Sequence, residues 1–216
     1  MPRIFPFAFM PETENHSFVL CVTGGIACGK SSAGKVLEAS GFCTLDADRV
    51  AHELMAKGRP VCRAVAREFG AGVLDAAGEI DRSALGSIVF EDPEKLGALN
   101  ALVHPAVRRA LADWIRRMRR ERRKAAALVP LLFESGMEEL DWDAVLCVTA
   151  DEETVLRRLA ARGLDREAAR RRIRAQWPPE EKARRADYVL SGNEDLKRFG
   201  ESVRKLLKRI DSEKTV

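Results

Sequence analysis

Short, nearly unbroken apolar runs alternate along this chain with longer stretches whose apolar positions recur every three or four residues. Phe18-Val19-Leu20-Cys21-Val22 predicts a first strand, and Ser31–Ala39 a helix stopped by Gly41. Phe42-Cys43-Thr44-Leu45 predicts a second strand, closed by Asp46-Ala47-Asp48. From Arg49 to about Arg123 the pattern is helical, with no convincing strand. Ala125 to Phe133 predicts a third strand, interrupted by Pro130 and ended by Glu134. Ala144–Thr149 predicts a fourth, and Tyr188-Val189-Leu190 a short fifth. Continuous apolar strands separated by helices imply a parallel sheet covered on both faces. Leu196, Phe199, Val203, Leu206, Leu207 and Ile210 fall at helical intervals and predict a closing amphipathic helix. The fold class is α/β: a five-stranded parallel sheet with helices on both faces.

Two stretches do not fit a plain crossover. Residues 49–124 are far too long for one, so they form a helical insertion. It follows the carboxyl end of a strand, where open α/β sheets bind ligands, and is placed to hold an acceptor. The core is then 18–48 plus 125–212. Within it, about 157–185 is helical and rich in arginine, from Arg157, Arg158 and Arg162 to Arg174. Beside a phosphate loop such a segment serves as a lid; its alternative is an exposed helical pair whose arginines face water.

The totals bound the function. A chain of 216 residues, 46% hydrophobic and 32% charged, suits a globular protein with one substantial core. No apolar run reaches the length of a membrane span, so no membrane partner is expected. Residues 1–17 lack a cleavage signature and read as a poorly ordered extension, not a signal peptide. The cysteines are Cys21, Cys28, Cys43, Cys62 and Cys147, with no C-x-x-C pair. An odd count with apolar neighbours suggests a reducing, cytoplasmic setting without zinc or disulfides. The net charge of +4 favours polyanionic ligands. The run Arg116–Lys124 is the tempting nucleic-acid feature. Val107, Leu111, Trp114 and Met118 recur through and before it at helical spacing, so it reads as the solvated face of a helix. No aromatics alternate with its charges, and no nucleic-acid partner is expected.

The sharpest chemical signal is Gly24-Gly25-Ile26-Ala27-Cys28-Gly29-Lys30-Ser31, which fits G-x-x-x-x-G-K-[ST] between a strand and a helix. The alternative is a chance glycine turn, which the strand–loop–helix context disfavours. Loop amides and the helix N-terminus make an anion cradle. Gly25, Ile26, Ala27, Cys28, Gly29, Lys30, Ser31 and Ser32 are the nucleotide-binding candidates. Lys30 reaches the β- and γ-phosphates, and the Ser31 hydroxyl sits on Mg²⁺. Cys28, at the helix start beside Lys30, is a candidate reactive thiolate; its alternative is a small protonated residue in a serine's place.

Several motifs together resemble one family, the dephospho-coenzyme A kinases. They are the loop, Asp46-Ala47-Asp48 with Ala51-His52, Gly78-Glu79-Ile80-Asp81-Arg82, His104-Pro105, Val129-Pro130-Leu131-Leu132-Phe133-Glu134, Ala175-Gln176 and Ala186-Asp187. The resemblance runs from about Phe18 to Phe199. It implies a P-loop kinase core, a coenzyme-A-binding insertion and a lid. It also implies transfer of the ATP γ-phosphoryl group to the ribose 3′-hydroxyl of dephospho-coenzyme A, the final step of coenzyme A biosynthesis. Asp48 is then the better candidate for the base, with Lys30 and Asp46 beside it. One aspartate of the pair caps the following helix, and the two diverge if that helix begins at Ala47. His104, Arg82, Leu131 and Glu134 are assigned to the acceptor and Arg162 to ATP. The enzyme is expected to be a cytoplasmic monomer.

Two departures stand out. The family has glycine followed by serine or threonine where this loop has Ala27-Cys28, so a positive φ at Ala27 would cost ~1–2 kcal/mol. After the fifth strand, Ser191-Gly192-Asn193-Glu194 replaces an Asp-Asn-x-Gly-like sequence, which leaves the adenine contacts open. Pro105 is expected to break or begin a helix at His104. Rival readings are a nucleoside monophosphate kinase and a nucleic-acid-binding P-loop ATPase or GTPase. The long insertion disfavours the first; the second lacks a Walker-B strand and an Asn-Lys-x-Asp segment.

Overall fold

The computed structural model describes residues 17–213, so the expectation for the N-terminal extension falls almost wholly outside the described residues. The first strand, β1, spans Phe18–Gly24, and all seven of its residues are buried. Helix α1 (Lys30–Ala39) follows, then β2 (Cys43–Asp46) and α2 (Ala47–Leu54). The insertion continues with α3 (Pro60–Phe69), α4 (Arg82–Val89) and α5 (Pro93–Arg120). The sheet resumes with β3 (Lys124–Leu128) and β4 (Ala144–Thr149). After β4 come α6 (Glu152–Ala160), α7 (Arg166–Arg174), α8 (Pro179–Arg185), β5 (Tyr188–Ser191) and α9 (Leu196–Glu213). The five strands form one sheet in the order β2-β3-β1-β4-β5, with every pairing parallel. The expected α/β class and strand count hold.

Alternation along β1 divides the core in two. Val19 and Cys21 face a cluster with Val107, Leu111, Trp114 and Ile115 of α5. Leu20 and Val22 face Leu37 of α1 and Phe199, Val203 and Ile210 of α9. In β3, Ala125, Ala126 and Ala127 are wholly buried. The basic run is divided as its spacing suggests. Trp114 and Met118 are buried, while Arg116 and Arg117 are exposed. Arg119 is structural: its Nε donates to Asp141 at 2.5 Å and its Nη1 to Asp143 at 3.1 Å.

Three expectations are corrected. The third strand stops at Leu128, not Phe133. Val129 still donates to the Val22 carbonyl at 2.9 Å, but Pro130 has no N–H and the ladder ends there. Glu134 therefore lies in the turn beyond the strand. Next, α5 runs unbroken through His104-Pro105. Pro105 deprives the Ala101 carbonyl of its donor, but both residues are exposed, so water can take its place. The continuous buried stripe Val103–Val107–Leu111 outweighs the lost bond. Last, the arginine-rich stretch 157–185 is not uniform. Helix α8 packs against β1 and β4 and buries Lys182 completely, so it belongs to the body.

Pro105→Ala should restore one helical hydrogen bond. A mid-helix proline costs ~3 kcal/mol, of which up to ~1 returns through the unfolded chain. Urea unfolding should show the variant more stable by about 1–2 kcal/mol.

Candidate active site

The loop leaves the sheet at Gly24, with φ 136° and no room for a side chain: a Cβ there would stand 2.1 Å from the Val148 carbonyl oxygen of β4. Ala27 has φ 56°, the left-handed region that alanine avoids, so the strain foreseen from the sequence is present. Lys30 Nζ donates to the carbonyls of Gly24 at 3.0 Å and Gly25 at 2.7 Å. Ser31 is exposed and Ser32 half-buried on the first turn of α1, where the Ser32 amide already donates to the Gly29 carbonyl at 3.0 Å. Cys28 is 1% exposed, packed with Leu20, Val22 and Ala33. That corrects the reactive-thiolate expectation, because an enclosed thiol is not reached by oxidants or alkylating agents.

Other elements brace the loop. Arg158 of α6 donates to the Ala27 carbonyl at 3.0 Å and the Gly192 carbonyl at 2.5 Å. Gly192 lies so close that a Cβ would stand 1.9 Å from the Cys28 carbonyl oxygen. Gln176 Oε1 accepts the Ile26 N–H at 2.8 Å. Asn193, displaced relative to the family pattern, accepts the Asp151 N–H through Oδ1 at 3.0 Å and so supports the start of α6. Arg162, assigned to ATP from the sequence, is exposed in the turn after α6, and Arg158 is the arginine on the loop.

The two aspartates separate, because α2 begins at Ala47. Asp46 is its N-cap: Oδ1 accepts the N–H of Asp48 at 2.9 Å and of Arg49 at 3.4 Å. Asp48 instead lines a cleft of about 400 Å³. Ile26 and Gln176 bound this cleft, as do Arg82 of α4, Leu131 and Arg172 of α7. Asp48 is exposed at the rim, yet surrounding walls withdraw its carboxyl from bulk water and raise its pKa. Asp46 raises it further, while Lys30 and His52 pull it down. His52, which the sequence left without a role, lines the same cleft. Burial first, then Arg82, lowers its pKa. His104 lines an adjoining recess of about 160 Å³ that also touches Asp48 and Leu131. Burial lowers its pKa against the pull of Glu134.

Glu134 also lines the cleft, held from behind. Lys182 Nζ lies 2.6 Å from Glu134 Oε1 and donates to the Pro130 carbonyl at 2.8 Å. The Trp177 N–H donates to the same Oε1 at 2.9 Å, and the Trp177 ring stacks on Phe133. Sequence reasoning missed Lys182 and Arg158, which look like ordinary members of charged helices. Gln176 was visible only as part of a motif.

The donor set suits a nucleotide phosphate: loop amides, one lysine, and an exposed serine hydroxyl. No trio of His, Cys, Asp or Glu among the described residues is gathered for a metal. Mg²⁺ bound through substrate phosphates needs few protein ligands, and Ser31 can be one.

Comparison with known proteins agrees with this geometry. The family model described as dephospho-CoA kinase matches residues 18–198. A dephospho-CoA kinase of Symbiobacterium thermophilum is 46% identical over 182 residues, covering 83% of this chain and 76% of that one. Among solved structures, TT1252 from Thermus thermophilus has a TM-score of 0.71 at 36% identity, covering 90% of this chain and 98% of that chain. The dephospho-CoA kinase from Campylobacter jejuni has a TM-score of 0.68 at 28% identity, covering 92% and 99%.

Gly192→Ala should drive a methyl into the Cys28 carbonyl and displace the loop. Overpacking of this kind costs ~1–3 kcal/mol. Calorimetric titration should show ATP binding weakened by about tenfold or more, since 1.4 kcal/mol is tenfold.

Proposed function

The chain belongs to the dephospho-CoA kinase family, and we propose that it carries the ATP γ-phosphoryl group to the ribose 3′-hydroxyl of dephospho-coenzyme A by the following division of labour. Phosphoryl transfer asks the protein mainly for positioning and charge stabilisation. The unengaged amides of the Gly25–Ser32 segment hold the nucleotide phosphates, and Lys30 turns its ammonium from the loop carbonyls to the β- and γ-phosphates. The Ser31 hydroxyl would be the protein ligand of Mg²⁺, which would supply charge neutralisation at the phosphates. Asp48 accepts the proton of the acceptor hydroxyl. Its raised proton affinity suits that task better than an ordinary aspartate would. Asp46 contributes by capping α2, which aims Asp48 into the cleft, and by adding negative charge beside it. Arg82 meets the acceptor's phosphates, Leu131 and a neutral His104 shape its pocket, and Glu134 faces its ribose. Arg158 steadies the nucleotide loop from behind, and Arg162 is the candidate arginine for ATP.

The observation that carries this reading is the cleft itself. It runs from Ile26 of the phosphate loop past Asp48 to Arg82, Leu99 and Asn100 of the insertion, so donor and acceptor meet beside one carboxylate. A reducing, cytoplasmic setting is in keeping with five free cysteines, four of them buried. No helix of the described residues is long and apolar enough to cross a membrane.

An assay of ADP release with ATP, Mg²⁺ and dephospho-coenzyme A tests the reading, with nucleoside monophosphates as controls. Turnover with the controls and none with dephospho-coenzyme A overturns it. Arg82→Ala and His104→Ala should raise KM for the acceptor and leave KM for ATP nearly unchanged.

Asp48→Asn should lower kcat by about 10²–10⁴. In the wild type, kcat/KM should fall on acidification along a limb lying above the ordinary aspartate value of ~3.9, and the variant should lack that limb. A raised folded-state pKa favours folding fully below the unfolded value and is lost as pH rises through the folded one. At neutral pH the ionised Asp48 is therefore a burden on the fold. Solvent at the rim screens it, so thermal unfolding should show Asp48→Asn slightly more stable than wild type.

A further inference from the structure

Lys182 is the only charged residue among the described residues with its whole side chain buried. Taking an ammonium out of water is expensive, and only close partners offset it. Both of its partners, the Pro130 carbonyl and Glu134 Oε1, belong to the segment after β3 that lines the acceptor cleft. Glu134 Oε1 is doubly engaged, by Lys182 Nζ and the Trp177 N–H. Glu134 Oε2 is buried and has no hydrogen-bond partner. A buried carboxylate oxygen left bare is rare, because most buried polar atoms are paired. An ion pair serving only to hold α8 would not need its carboxylate in a ligand cleft with one oxygen unspent.

We propose that Lys182 is a positioning residue, which with the Trp177 amide anchors Glu134 Oε1 so that Oε2 accepts a hydrogen bond from the acceptor ribose. The donor is the 2′-hydroxyl, neighbour of the hydroxyl that receives the phosphoryl group. This rests on the reading of the acceptor as dephospho-coenzyme A. Glu134 then discriminates a ribose from a deoxyribose, and α8 sets the accuracy of that contact from behind the wall. No proton or bond is transferred in this step.

The test compares wild type, Glu134→Gln, Lys182→Met and the double variant on dephospho-coenzyme A and its 2′-deoxyribose analogue. Hydrogen bonds to charged groups support about 10- to 100-fold effects. Each single variant should raise KM for dephospho-coenzyme A by about that factor and leave KM for ATP unchanged. The double variant should be no worse than the single ones. The analogue should cost the wild type the same factor and cost Glu134→Gln much less, because an amide NH2 in place of Oε2 offers the hydroxyl only a neutral bond. Equal losses for wild type and Glu134→Gln on the analogue, or additive losses in the double variant, would overturn the proposal. Thermal unfolding reports whether Lys182→Met folds. If it does not, Glu134→Gln still decides, because its amide oxygen keeps the bonds from Lys182 and Trp177. A wild type that fails on dephospho-coenzyme A refutes the family reading and not this contact alone.

Discussion

The enclosure of β1 on both faces sets the rest of the structure. Each of its residues is committed to a core layer, so the chain finds solvent only beyond Gly24, against the Val148 carbonyl. Between Gly24 and the start of α1 at Lys30 only five residues remain to reverse direction. A turn that short brings successive amides to one point and forces a positive φ on Ala27. The neighbouring strands end at the same edge because the sheet is parallel. Asp46 in β2, Pro130 after β3, Thr149 in β4 and Ser191 in β5 therefore surround the loop. The functional edge follows from the sheet's direction and not from any one side chain.

The strands and the loop were legible because their signals are local. A fully apolar run has one plausible place in an α/β core, and glycine and lysine spacing before a helix has a direct geometric meaning. The aspartate pair was half legible. Alternation left open which carboxylate would cap α2, and the hydrogen bonds of Asp46 Oδ1 decide it. What stayed hidden depends on distant chain segments. Proline at 105 reads locally as a helix boundary, but the buried stripe on either side overrides it. Lys182 sits in Pro-Glu-Glu-Lys-Ala-Arg-Arg, which reads as a solvated helix, and only the turn after β3 gives its ammonium a place. Cys28 read as a candidate thiolate because it precedes Gly29 at a helix start beside Lys30, yet its side chain turns inward to the α1 and α9 layer.

Opposed electrostatic demands meet within this small region. Lys30 brings positive charge to the loop, and the Asp48 carboxyl lies in the cleft beside it. Burial and Asp46 resist its ionisation while Lys30 and His52 support it. The net result leaves the Asp48 carboxyl with a proton affinity above that of an ordinary aspartate. Strain at Ala27 belongs to the same pattern, since functional edges hold conformations that surrounding structure must enforce.

The Ile26 amide has one proton to donate, and Gln176 Oε1 already takes it. A phosphate oxygen arriving at that amide competes with Gln176 for the same bond. The next residue, Trp177, donates its own amide to Glu134 in the acceptor wall. Two consecutive residues thus reach two walls of one cleft, one through a side chain and one through the backbone. Gln176 and Trp177 thus tie the phosphate loop and the segment after β3 to a single turn, a tether spanning two consecutive residues.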